Sequence, residues 1–194
     1  MKLSRDFYQN SALNVARRLI GVTLVRITPD GTRLSGKIVE TEAYLGLGDD
    51  AAHANKGKTP RTEVLFGEGG HAYVYLIYGI HCCLNIAVDR PGVPGCVLIR
   101  ALEPVDGIAR MQKNRHTQNI RQLCSGPGKL CQALEVTLSD YGTDLCSDTF
   151  FAEGKQVPDT QILTTPRINI AYATETKEKP WRFLWKNNPY ISVN

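Results

Sequence analysis

The chain reads as a single α+β domain on a mainly antiparallel sheet, and three features lead there. β-Prone apolar segments recur along it, compact turns join several of them at hairpin distance, and only a few short stretches show helical spacing. At 194 residues and 42% hydrophobic content the chain is long enough for one sizeable core, so residues 1–194 are expected to form one domain.

The elements follow in order. Leu13 to Ile20 (LNVARRLI) carries apolar residues at helical spacing, with Ser11 placed to cap it and Gly21 to end it. Val22 to Ile27 and Leu34 to Tyr44 flank the turn sequence TPDG and should pair as an antiparallel hairpin. Asp49 to Gly70 is a polar loop with a basic middle (NKGKTPR), and loops of that length are more often functional than idle. Ala72 to Ile77 and Cys82 to Val88 read as strands joined at Tyr78-Gly79, and Cys96 to Ala101 as another after DRPGVPG. Pro104 to Gln112 is expected to be a short helix and Gln118 to Gln122 a polar linker. Gly128 to Leu134 reads as a helix entered through Ser125-Gly126-Pro127. Two more strands are expected near Arg167 to Tyr172 and Trp181 to Trp185.

Composition excludes several classes. No run of about 18 apolar residues exists and Met1 to Val25 does not fit a secretory signal, so a soluble intracellular protein without a membrane partner is expected. The six cysteines form no C-x-x-C pair and read as reduced, mostly buried thiols. A net charge of +4 suits a polyanionic partner without requiring one. Gly57-Lys58-Thr59 imitates the end of a P-loop but has Ala52 where the leading glycine belongs. His53, His71, His81 and Cys82 lack any metal-ligand spacing, so no metal is expected.

Some residues point to chemistry. In VETEAY, Glu40, Glu42 and Tyr44 share one strand face, because side chains alternate with period two. Taken alone the segment also suits a solvated sheet face. AYVYLIYG puts Tyr73 and Tyr75 on one face and Tyr78 at a turn, positions from which rings can stack on bases or fill an ordinary strand. The Gly-Pro-Gly helix entry with Lys129 suits an anion.

Four ordered motifs then stand together: GKIVETEAYLG with Ala51-Ala52-His53, YVYLIYG followed by Asn85, VLIRALEP, and LCSGPGKLCQAL. In these, and in RINIAYA and the tail PWRFLWKNNPYISVN, the chain resembles the alkyladenine (3-methyladenine) DNA glycosylase family. The resemblance implies a curved antiparallel sheet with surrounding helices and a protruding β-hairpin that carries Tyr78. It implies a monofunctional glycosylase that requires neither a metal nor an organic cofactor, working as a monomer on double-stranded DNA that contains damaged purines. Its place would be with chromosomal DNA, in bacterial cytoplasm or in a nucleus. The substrates implied are 3-methyladenine, 7-methylguanine, hypoxanthine and ethenoadenine.

By the same resemblance Glu42 is the general base on the attacking water, and Arg100 fixes that carboxylate and keeps it ionised. Tyr44, His53 and Tyr75 would sandwich the extruded purine, whose positive charge, when it has one, favours electron-rich faces. Asn85 would crowd the amino group of guanine, and Tyr78 would fill the gap left in the duplex. Lys129, with Lys58 and Arg61 of the basic loop, would contact phosphates. No lysine occupies the nucleophile's place, so hydrolysis without strand cleavage is expected. The competing class is a non-catalytic damaged-DNA-binding module, which would keep Tyr44, Tyr75 and Tyr78 but need not keep Glu42 with Arg100.

Overall fold

A computed structural model describes residues 1–192; the last two positions of the tail motif, Val193 and Asn194, lie outside the described residues. After a short turn of helix α1 (Arg5–Tyr8), Ser11 caps α2 (Ala12–Arg18) by accepting from the Asn14 amide. Gly21, at φ 91°, turns the chain into β1 (Thr23–Ile27) with its α-carbon hard against Val157, where no side chain would fit. Strand β1 pairs antiparallel with β2 (Arg33–Tyr44), as the TPDG turn requires.

The remaining strands are β3 (Ala72–Ile77), β4 (His81–Val88), β5 (Gly95–Asp106), β6 (Phe150–Glu153), β7 (Ile162–Thr165) and β8 (Arg182–Trp185). They continue one sheet in the order β3-β4-β5-β2-β1-β6, and β8 joins the far half of β2 with β7 outside it. Every strand pair is antiparallel. Strands β2 and β5 change register three times along their length, and bulges of this kind bend a sheet and raise its twist. The fold is therefore α+β on a curved antiparallel sheet, with the β3–β4 hairpin projecting at Tyr78. Tyr78 (φ 53°) and Gly79 (φ 69°) occupy its turn with the paired positive φ values that type I′ turns use.

Helix α2 packs on one face of β2 and β5, burying Val15 and Ala16, and the Thr41 hydroxyl donates to Ala16 O at 2.9 Å to hold it there. Helices α3 (Ile108–Arg115) and α4 (Pro127–Ala133) pack together, and α4 covers β4 and β5. The main core runs from Tyr8 and Leu19 through Ile38 and Ile99 to Leu130 and Phe150. The cysteines are free thiols, four of them buried. No helix among the described residues is long and apolar enough to cross a membrane.

Two expected elements are corrected. Pro104–Asp106 extends β5, and the helix begins only after Gly107 (φ 76°). Proline is tolerated in this strand because Pro104 faces Gly36 beside a register shift, where the ladder is already broken. The segment from Arg167 to Tyr172 is a loop, and β7 lies just before it. Asn169 takes φ 59°, and the Arg167 side chain and Ile168 amide turn inward instead of pairing with a strand. The linker near Gln118 ends in a short 3-10 turn, Ile120–Gln122, and the long basic loop holds two more, His53–Lys56 and Glu63–Phe66.

Candidate active site

The bulges decide where the charged groups meet. Glu40 faces Ala101 and Thr41 faces Ile99, so Arg100 is the extra residue of a bulge on β5, and its side chain turns toward the carboxylates of β2. Its Nε donates to Glu40 Oε1 at 3.0 Å, and a terminal nitrogen reaches Glu42 Oε2 at 3.4 Å. Glu40 also accepts from Arg182 Nε at 2.8 Å and from the Ser192 amide and hydroxyl at 2.7 and 2.9 Å. Glu40 is thus the node of a buried ionic network. A solvated face is excluded for this part of β2, since both carboxylates are fully buried.

Glu42 has a different set of partners. Oε1 accepts the Ile168 amide at 2.9 Å and Oε2 accepts the Tyr44 hydroxyl at 2.9 Å. Burial pushes its carboxyl above the ordinary glutamate value, against the pull of Arg100, the Ile168 amide and Tyr44. Arg100 thus reaches the Glu42 carboxylate as expected but bonds more closely to Glu40, and burial is the largest influence on Glu42.

In front of Glu42 lies a cavity of about 800 Å³, walled by Tyr44, His53, Tyr75, Arg100, Ile168 and Tyr172. A recess of about 40 Å³ opens from the same aromatic walls toward Tyr73, Asn85 and Cys96. The His53 and Tyr75 rings meet edge to face at 4.7 Å, and His53 Nδ1 lies 2.8 Å from the Tyr73 hydroxyl. Loss of water and then the nearby Arg61 charge push His53 down to about 4, so the imidazole is neutral at physiological pH. Asn85 is buried, its amide nitrogen donating to Tyr73 O at 3.3 Å.

Tyr78 stands on the cavity rim with 84% of its surface exposed. Arg61 lines the cavity with its guanidinium 5.0 Å from the Tyr75 ring centre. Lys58 and Lys129 are exposed and do not line it; Lys58 pairs with Glu63 at 3.0 Å, and at the start of α4 it is Pro127 that reaches the wall.

Sequence reasoning missed the loop that closes the site. Arg167 is buried and bonded to both oxygens of Asp49 (2.7 and 2.9 Å), to Ala43 O and to the Thr176 hydroxyl. Its guanidinium lies between the Tyr44 and Trp181 rings, 4.6 and 4.9 Å from their centres. Burial pushes Asp49 up, but Arg167 and neighbouring donors outweigh it and hold the carboxyl below its usual value. Asp50 accepts the amides of Thr174, Glu175 and Thr176, so the adjacent aspartates tie the tail to the cavity wall. These contacts place the Ile168 amide on Glu42 and the Tyr172 ring at the mouth, where its hydroxyl donates to Ala51 O at 3.1 Å. The signals were Pro166, which ends a strand, and Asn169, which tolerates positive φ.

Comparison with known proteins finds relatives along nearly the whole chain. The family described as Methylpurine-DNA glycosylase (MPG) matches residues 6–189. The chain is 46% identical over 201 aligned residues to a protein of Alkaliphilus oremlandii (strain OhILAs), covering 99% of each. It is 47% identical over 193 to one of Methanocella arvoryzae, covering 98% of this chain and 95% of that one. A Bacillus cytotoxicus protein is 46% identical over 206, covering 99% and 100%. All three bear the name "Putative 3-methyladenine DNA glycosylase". A family match over nearly the whole chain, with relatives this similar from end to end, means that the chain belongs to the methylpurine-DNA glycosylase family.

Proposed function

We propose that this DNA glycosylase extrudes alkylated or deaminated purines from double-stranded DNA and hydrolyses their glycosidic bond with a water activated by Glu42. One observation carries the reading: a buried carboxylate, held by an arginine, a tyrosine hydroxyl and a backbone amide, lies behind the aromatic wall of a cavity with ample room for a purine nucleotide. Among the described residues Glu42 Oε1 accepts only the Ile168 amide, so it keeps acceptor capacity for a water entering beside Ile168, which lines the cavity. Glu42 takes a proton from that water as its oxygen attacks the anomeric carbon. The bond to the purine nitrogen breaks and its electrons pass to the base. A cationic purine leaves as a neutral molecule, whereas a neutral one leaves after gaining a proton. Arg100 fixes the carboxylate from its bulge.

Tyr44, Tyr75 and His53 hold the base, and Asn85 at the back of the recess rejects the amino group of guanine. Tyr78 enters the duplex, with Lys58 and Lys129 as outer phosphate contacts. 3-Methyladenine, 7-methylguanine, hypoxanthine and ethenoadenine are the substrates to test.

The deciding assay follows base release from duplexes bearing each lesion, with parent and Glu42→Gln protein, before and after alkali. We expect alkali-dependent breaks with the parent and a loss on the order of 10²–10⁴-fold with Glu42→Gln, while lesion binding persists. Near-parental turnover would remove Glu42 from the chemistry. Binding without any base release by the parent would favour a damage-binding module.

A further inference from the structure

The charges around the cavity are unevenly neutralised. Arg100 shares the carboxylates of Glu40 and Glu42, Arg167 is matched by Asp49, and Lys58 by Glu63. Lys56 and Arg61, which both line the cavity, differ: among the described residues no carboxylate stands within ion-pairing distance of either, and of the two it is Arg61 whose guanidinium carbon sits against a wall of the base cavity, 5.0 Å from the centre of the Tyr75 ring. Its neighbour His53, held as the neutral imidazole, adds no charge of its own. A ring that already has a cation against it attracts a second cation weakly, and two like charges in a partly enclosed space repel.

We propose that Arg61 is a specificity-determining residue that biases the base pocket toward neutral purine lesions and against cationic ones. This rests on the reading of the cavity as the base pocket. It also replaces the sequence-based expectation that Arg61 is a phosphate contact: its guanidinium acts on the base through charge. Aromatic walls alone would favour a cationic purine; Arg61 offsets that preference.

The test compares two duplexes identical but for one purine, 7-methylguanine (cationic) or hypoxanthine (neutral). Single-turnover efficiency is measured for the parent, Arg61→Gln and Arg61→Lys, with thermal unfolding of each variant giving its folded fraction. Removing the charge should raise the cationic-to-neutral efficiency ratio about fivefold, a size suited to a charge exposed on one side. Arg61→Lys keeps the charge and should hold the parental ratio. Equal losses on both lesions, with a weaker dependence on salt, would make Arg61 a phosphate contact and overturn the proposal. An unchanged ratio with unchanged rates would overturn it too. Glu42→Gln on the same duplexes reports separately on the base pocket: if that variant stays active, the assignment of the cavity fails first.

Discussion

The Tyr44 hydroxyl donates to Glu42 Oε2 across 2.9 Å, joining the ring that walls the cavity to the carboxylate behind it. Burial holds the tyrosine well above its usual pKa, so it remains a donor at every working pH. In the proposed mechanism a base stacked on Tyr44 would press on a group bonded to the proposed general base, so that binding and chemistry would share one side chain.

The pH dependence should show this coupling. A general base must be ionised, and burial raises Glu42 above the ordinary carboxyl value, so excision should fade as pH drops through that raised value, sooner than for an exposed glutamate. Tyr44→Phe keeps the ring but removes a bond that favours the ionised form. Its acid limb should move further up, with a rate loss of about tenfold at the acid end and less at pH 8. His53, pushed down to about 4, is already neutral above pH 5 and cannot supply the limb. Single-turnover base release from pH 5 to 9 checks this, and superimposable limbs for the two proteins would break the link between Tyr44 and Glu42.

Glu40 lies two residues from Glu42 and should answer mutation in another way. It satisfies two buried arginines and both donors of Ser192. Glu40→Gln leaves those charges underpaired and should cost about 3–5 kcal/mol of stability. For a domain of this size that lowers the melting temperature by roughly 6–20 °C. Excision per folded molecule should fall far less than with Glu42→Gln. Thermal unfolding combined with active-site titration separates the two effects, and an unchanged melting temperature would show that the network does not stabilise the fold.

Asn85 is fixed in place, because its amide nitrogen is bonded to Tyr73 O while its oxygen faces the Cys96 thiol. A side chain tethered in this way cannot swing aside for an extra amino group. Asn85→Ala should enlarge the recess and allow slow release of normal guanine from undamaged duplex, at least tenfold above the parental background by the usual worth of a steric contact. Equal guanine release by the two proteins would place the discrimination elsewhere.

The fold was legible where local rules suffice: the capped α2, the TPDG hairpin and the Tyr78-Gly79 turn all follow from adjacent residues. Period-two spacing likewise put Glu40, Glu42 and Tyr44 on one face, and the structure brings their side chains together. What the spacing could not show is that Arg100 sits in a bulge, because a register shift is set by the partner strand. Nor could it show that Glu40 and Glu42 divide their partners. The Arg167–Asp49 pair joins positions 118 residues apart, and an apolar run such as RINIAYA looks like a strand until its inward hydrogen bonds are known.

Tyr78 should affect excision without affecting the fold. Its ring is 84% exposed in the three-residue connection Tyr78–Ile80, at one of its two positions of positive φ, so it contributes little to the core. Tyr78→Ala should accordingly leave the melting temperature within about 2 °C of the parent, as for most exposed positions. If the ring fills the stack vacated by the extruded purine, its loss shifts the flipping equilibrium back by about 1–3 kcal/mol, the worth of base–aromatic stacking. Excision from a well-paired duplex should then fall roughly five- to 150-fold. A lesion placed in a mismatch or a loop needs less unstacking, so the same substitution should cost less there. Single-turnover rates on paired and mismatched substrates measure the difference directly. Equal losses on both would mean that Tyr78 acts on the bound base or on the pocket rim, which it also lines, and not as a wedge in the duplex.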